Sequence, residues 1–201
     1  RSGATTLSEW RQAWGDFFST TLDEFVAFSS EVSKLFISIY PQLEDKTIIV
    51  PHKTREYTTV EVPSHKGINI GFLGDMGLIC KGRRVVLDLL NYIESYDNGI
   101  NLKIIGDFDV SHPKLHATGR YTSDNLPELI QKEKIDIIFI SSIWPETFSY
   151  TTSEAMSMNI PIACFNLGAP YERVSKYSKG LILEDFNTKY IVDKIKQFLN
   201  K

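Results

Sequence analysis

Ile135-Asp-Ile-Ile-Phe-Ile-Ser141 runs directly into Ser142-Ile-Trp-Pro-Glu-Thr-Phe-Ser-Tyr-Thr-Thr-Ser-Glu-Ala-Met-Ser-Met-Asn159, and Ile160-Pro-Ile-Ala-Cys-Phe165 follows. The first run is apolar and of strand length, as a parallel sheet covered on both faces requires. A polar loop leaves its carboxyl end, where open α/β sheets bind ligands. Ser149 is a good N-cap for a helix that stops near Asn159, a residue tolerant of left-handed backbone, with Pro161 blocking any continuation. The next apolar run is a second buried strand. Strand, loop, short helix, strand is one βαβ unit.

The helix start at Ser149 to Thr151 offers amides without intrahelical partners at the positive end of a dipole, a natural seat for phosphate. Glu146 precedes those amides and Glu154 lies about a turn inside the helix, so two carboxylates bracket the seat. A competing reading makes Thr151-x-x-Glu154 a capping box and Glu146 a solvated loop carboxylate.

Working outward, Gly67-Ile-Asn-Ile-Gly-Phe-Leu-Gly74 reads as the first strand of the main domain. A glycine turn and Lys81-Gly82 follow, then a helix with Val86, Leu89, Leu90 and Ile93 on one face, stopped by Asp97-Asn-Gly99. Gly71-x-x-Gly-x-x-Gly77 lacks the Gly-x-Gly-x-x-Gly spacing of dinucleotide folds, which argues against NAD. Leu102-Lys-Ile-Ile-Gly106 is the second strand. Asp107-Phe-Asp109 after it has the form of a metal-binding Asp-x-Asp, and His112 and His116 are spaced i, i+4 but separated by Pro113. His116-Ala-Thr-Gly119 begins a short strand, with Arg120 and Tyr121 beyond it. Asn125–Lys134 is a helix with Pro127 in its first turn. Gly180–Leu183 is the last strand and Lys189–Leu199 the closing amphipathic helix.

Pro145-Glu-Thr-Phe-Ser-Tyr-Thr-Thr-Ser-Glu-Ala-Met156 resembles the Glu-x7-Glu signature of the retaining group 1 (family 4) glycosyltransferases of GT-B architecture. The similarity continues through Asn159-Ile-Pro-Ile-Ala-Cys-Phe-Asn-Leu-Gly168 and Glu172-Arg-Val174, and covers roughly residues 68–199. The resemblance implies that Glu146 contacts hydroxyls of a donor sugar and that Glu154 holds the ribose. It also implies that amides of Phe148-Ser149-Tyr150 take the diphosphate, although the usual glycine is Ser149 here. The family's Gly-Arg and Lys-Gly pattern falls on Gly74-Asp75 and Lys81-Gly82. Lys81 is therefore the expected cation for the leaving diphosphate, and Asp75 stands in place of an arginine. Arg120 and Tyr121 fall at the nucleobase pocket. The family works without a metal, so neither metal nor cofactor is expected beyond a nucleotide-sugar donor.

The same resemblance makes residues 1–50 the tail of an acceptor domain, 51–66 a linker and 67–201 the nucleotide-sugar-binding domain. The residues themselves allow equally a locally packed extension of the main domain. Thr6-x-x-Glu9 opens a helix bearing Trp10, Trp14, Phe17 and Phe18, a stripe to be buried against a partner surface. Glu24–Phe28, Glu31–Tyr40 and Thr47–Val50 read as strand, helix, strand. Residues 51–66 are polar and without helical period.

The expected fold is thus a Rossmann-like doubly wound parallel sheet, the GT-B carboxyl-terminal lobe, with a partial βαβ extension. A net charge of −3 over 201 residues gives no basic excess for nucleic acid. No apolar run approaches the roughly 20 residues of a membrane span. Peripheral association of the full enzyme with a membrane surface stays open. Cys80 and Cys164 lie far apart in apolar surroundings, which suits a reducing compartment and a cytoplasmic protein. The expected reaction moves a sugar from a nucleotide-diphosphate donor to a saccharide acceptor, in surface polysaccharide biosynthesis. The acceptor would be held by the absent amino-terminal domain, so this piece alone is expected to be inactive. The alternative is a noncatalytic nucleotide- or sugar-binding assembly module of the same fold.

Overall fold

A computed structural model describes residue 3, residues 5–96 and residues 99–200. The chain divides into two compact units, Arg1–His52 and Lys53–Lys201. In the first, α1 (Leu7–Thr21) starts on a complete capping box between Thr6 and Glu9. Then β1 (Phe25–Ala27), α2 (Ser30–Ile39, capped by the Ser29 side chain) and β2 (Thr47–Ile49) form a βαβ unit with parallel strands. The aromatic stripe of α1 is used only in part within this unit. Trp14 and Phe18 lie 5.4 Å apart and Phe18 meets Tyr40 at 5.0 Å, while Trp10 and Phe17 keep 47% and 45% of their surface exposed.

The second unit holds β3 (Ile68–Leu73), α3 (Arg83–Tyr96), β4 (Ile100–Ile105), β5 (Leu115–Ala117), α4 (Leu126–Lys132), β6 (Ile137–Ile140), α5 (Tyr150–Ser157), β7 (Ile162–Phe165), α6 (Gly168–Val174), β8 (Gly180–Leu183) and α7 (Thr188–Leu199). Its six strands are all parallel, in the order β5-β4-β3-β6-β7-β8. Renumbered from the first strand of the sheet, this is 3-2-1-4-5-6, the doubly wound order with its reversal between β3 and β6.

Two-residue alternation along each strand explains why these runs are apolar throughout. Ile68, Ile70, Phe72, Ile137, Phe139, Ala163 and Phe165 enter one core with α3 and α7. Their neighbours Leu73, Ile138, Ile140, Ile162 and Cys164 enter another with α4 and α5. Phe139 is the keystone of the first core, 5.7 Å from Phe72 and 5.3 Å from Phe165.

Asn159 takes the left-handed conformation expected of it, with φ 60°. The stop expected at Asp97-Asn-Gly99 falls on Asp97 and Asn98, which lie outside the described residues. α6 was not legible as a helix, because it is short, begins with glycine and has no capping side chain. The polar stretch 51–66 has no regular element, yet it carries three apolar side chains, Tyr57, Val60 and Val62, that pack on the second core. Its backbone is also tied down, by Val60 N to Met158 O at 3.0 Å and Tyr57 N to Ser157 Oγ at 2.5 Å.

Candidate active site at the sheet reversal

β3 and β6 are neighbours whose following loops diverge to opposite sides, which opens a crevice at their carboxyl ends. The loop after β3 closes with a short 3₁₀ turn, Ile79–Lys81. Gly82, at φ +90°, is forced there because a Cβ would lie 2.1 Å from the Ser141 carbonyl oxygen. Ser141 Oγ donates to Lys81 O at 2.9 Å, and Ile143 N to Cys80 O at 3.1 Å. The Lys81 turn is thereby stapled to the end of β6.

This staple sets the central contact of the site. Lys81 Nζ donates to Glu146 Oε1 at 2.8 Å, and the Ser142 hydroxyl donates to the same oxygen. The Glu146 side chain is only 12% exposed and that of Lys81 40%. From the other side, Ala169 N donates to Glu146 O at 3.0 Å. Gly168, at φ +57°, fits because a Cβ would press at 2.8 Å on Glu146 N and on Pro145. Glu146 is therefore fixed by three segments: the Lys81 turn, the end of β6 and the start of α6.

Ser149 is the N-cap of α5, buried, and its side chain makes no capping bond to the helix backbone. Its hydroxyl is engaged instead with Thr151 and Thr152, at 3.1 and 3.0 Å. Phe148 and Tyr150 meet edge to face at 5.1 Å. Arg173 of α6 lies behind this loop, with its guanidinium 4.6 Å from the Phe148 ring centre and Nη2 donating to Ser149 O at 2.5 Å. Arg173 went unnoticed in the sequence as a site residue. The only signal was its place in Glu172-Arg-Val174, within the stretch that carries the family similarity.

Glu154 does not close a capping box. Thr151 is already inside the helix, and the Glu154 carboxylate faces the Tyr57 hydroxyl, which donates to Oε1 at 3.4 Å. Burial pushes the Glu154 carboxyl above its ordinary range, against the Tyr57 hydrogen bond and the charge of Arg55. Tyr121 joins this group, its phenol pushed up to about 12 by burial and then by Glu154 and Tyr57. Arg55 sits over the Tyr57 ring at 5.4 Å and pairs with Asp124. Tyr57 was not among the candidates, since it is 97 residues from Glu154 in the chain.

The remaining candidates make contacts of their own. The Arg120 side chain is 93% exposed and pairs with Asp107 at 3.1 Å, whereas Tyr121 lies by Glu154 and Tyr57. Gly74, at φ +99°, follows β3, and its amide donates to Ile105 O at 2.9 Å. Asp75 accepts from Gly77 N at 2.8 Å and lines an open pocket of about 350 Å³ with Asp107, Phe108 and Asp109. Asp109 is taken by Arg83 at 2.5 Å. His112 and His116 face different carboxylates, Glu94 and Glu133. Among the described residues no group of three His, Cys, Asp or Glu is placed to hold a metal ion. A larger pocket, about 610 Å³, lies in the first unit against α1 and is lined by Arg11, Asp16 and Gln42 among others. None of the chemistry described above reaches it.

Residues 81–201, more than half of the chain, match the family model described as "Glycosyl transferases group 1". The chain belongs to the group 1 glycosyltransferase family. It is a transferase family, and the sheet is the Rossmann-like domain of its GT-B members. A glycosyltransferase from Rickettsia africae is 20% identical over 94% of this chain, with a TM-score of 0.66. HepE from Anabaena, solved in complex with UDP, is 13% identical over 98% of the chain at 0.75. WaaG, described as a glycosyltransferase involved in lipopolysaccharide biosynthesis, is 13% identical over 98% at 0.68. At such identities the likeness is one of fold. The group 1 chain spans 57–60% of the length of these three proteins. Among the curated proteins there is no match. No helix among the described residues is long and apolar enough to cross a membrane.

Proposed function

We propose that this chain is the donor-binding lobe of a retaining glycosyltransferase that takes a sugar from a nucleotide-diphosphate donor to a saccharide acceptor. The single observation that carries the reading is the Lys81–Glu146 pair at the sheet reversal, beside the start of α5. Lys81 and the first amides of α5 would stabilise the nucleoside diphosphate as it departs, where most of the charge develops in the transition state. Glu146 would orient the sugar hydroxyls, a contribution of proximity. Glu154, held by Tyr57, would accept from the ribose hydroxyls. The front-face mechanism implied by the family leans on the donor phosphate itself, so no protein nucleophile is assigned and no metal or cofactor is needed.

Residues 1–50 are read as the end of an acceptor-binding domain and 51–66 as the connection to the donor lobe at 67–201. On that reading this chain binds nucleotide weakly and transfers nothing by itself. HepE was solved with UDP, which makes UDP the first probe, and WaaG supports a surface-polysaccharide setting. Use of a nucleotide sugar favours the cytoplasm. The test is calorimetry with UDP, GDP and dTDP. Heat with one of them, lost in both Lys81→Ala and Glu154→Ala, supports the donor lobe. A folded protein that binds none supports the noncatalytic module.

A further inference from the structure

Arg173 is a cation in an unusual position. Its guanidinium donates to a carbonyl, that of Ser149, and to a hydroxyl, that of Ser153, and it lies against the Phe148 ring. Its Nε is buried without a partner. Glu172 and Glu146 act on it through space, and burial lowers its hold on the proton. These contacts place the charge at the amino end of α5, where a cation adds to the positive end of the helix dipole instead of opposing it. A partly buried positive charge, bonded to neutral groups and set at the positive end of a helix dipole, favours an anion beside it.

We propose that Arg173 is a positioning residue that makes the start of α5 selective for a diphosphate over a less charged group. The inference rests on the donor-lobe reading. Arg173 acts in two linked ways: it draws the Ser149 carbonyl and the Phe148 ring into place, and its field is added to that of Lys81 across the loop. Uridine, lacking phosphate, should not sense it, UMP should sense it less than UDP, and inorganic pyrophosphate should sense it as UDP does.

The test is calorimetry on the full chain with UDP, UMP, uridine and pyrophosphate at two salt concentrations. The proteins are the wild type, Arg173→Lys, Arg173→Gln and Arg173→Met, with Lys81→Ala for comparison. Removing the charge should weaken UDP and pyrophosphate by up to about tenfold, through the lost field and the loosened loop and not through a direct contact. It should also flatten the salt dependence of their binding, while Arg173→Lys restores most of both. Arg173→Met keeps the packing of the stem if the glutamine variant does not fold. Unchanged affinity and salt slope in Gln and Met, with binding lost in Lys81→Ala, overturns the inference and leaves the donor lobe standing. Equal losses in Lys and Gln with an unchanged salt slope make Arg173 a loop brace and overturn it as well. A wild type that binds none of the four probes overturns both.

Discussion

Lys81 Nζ and Glu146 Oε1, 65 residues apart in sequence, are 2.8 Å apart at the mouth of the sheet. Each is the other's counter-ion, and each is offered to a different part of the donor in the proposed complex. The pair holds Glu146 in place through a cation that is itself to be shared with phosphate in the proposed complex. Partial exposure limits what the pair contributes to folding.

Lys81→Ala should therefore lower both stability and binding. Lys81 is 40% exposed but Glu146 only 12%, and the carboxylate keeps the Ser142 hydroxyl, so the stability cost should be moderate, about 1–3 kcal/mol. Affinity for a nucleoside diphosphate should fall about tenfold or more, since the lost contact is charge-assisted. Urea denaturation and calorimetry on the same preparation check both.

Glu154 makes a prediction about pH. Its carboxyl is raised in the folded chain, chiefly by burial. Between the ordinary carboxylate value and the raised one, the native state binds more protons than the unfolded state, so stability falls as pH rises through that window. Above the window the penalty is complete, and below it there is none. Glu154→Gln should melt at a higher temperature than the wild type at pH 7, and the two should converge below the ordinary carboxylate range. Melting curves across pH check this, and a variant no more stable at pH 7 counts against it.

Tyr57→Phe removes a hydrogen bond that pulls the Glu154 carboxyl down. The carboxyl should then rise further. If ribose is bound by the ionised form, nucleotide affinity should be lost on acidification at a higher pH than in the wild type. Dissociation constants measured from acid to neutral pH would show the displaced curve, and superimposable curves would refute the contact.

Gly168→Ala tests the support behind Glu146. The new methyl group would meet Pro145 and Glu146 N at 2.8 Å, on a backbone at φ +57°. The cost should be about 1–3 kcal/mol of stability, with nucleotide-sugar binding reduced more than binding of the nucleotide alone. Comparing UDP with a UDP-sugar checks the distinction.

Phe139→Ala opens the centre of the first core between Phe72 and Phe165. A loss of about 3–5 kcal/mol is expected, as for other buried phenylalanines. Denaturant unfolding, followed by circular dichroism, measures it. A loss under about 1 kcal/mol would mean that the core collapses around the gap.

The strands β3, β6 and β7 could be read from the residues because a strand buried on both faces has no polar alternation to obscure it, and glycine, proline or asparagine marks its ends. The helix at Ser149 and its left-handed stop at Asn159 were legible for the same local reason: capping and turn chemistry act between residues a few positions apart. The two carboxylates Glu146 and Glu154 could be named, since they lie on that loop and helix. What each faces could not. Tyr57 reaches Glu154 and Lys81 reaches Glu146 only after β3 and β6 pair and residues 53–62 fold against the second core. Arg173 is carried under the α5 start only because the start of α6, at Gly168 and Ala169, packs against Pro145 and Glu146. Asp107 and Asp109, a plausible metal pair in sequence, were each claimed by an arginine, 13 and 26 residues away in the chain.

The residues alone determined the strands and all the main helices but α6, the position of the α5 start and the identity of the two acids beside it, because each of these is written in periodicity and turn chemistry within a short span. Only the tertiary structure decided the partners of those acids, the different partners of Arg120 and Tyr121 and the place of Arg173 against the α5 start. These depend on which strands lie side by side, and long-range pairing is fixed by the packing of two cores about one sheet rather than by any local stretch of the chain.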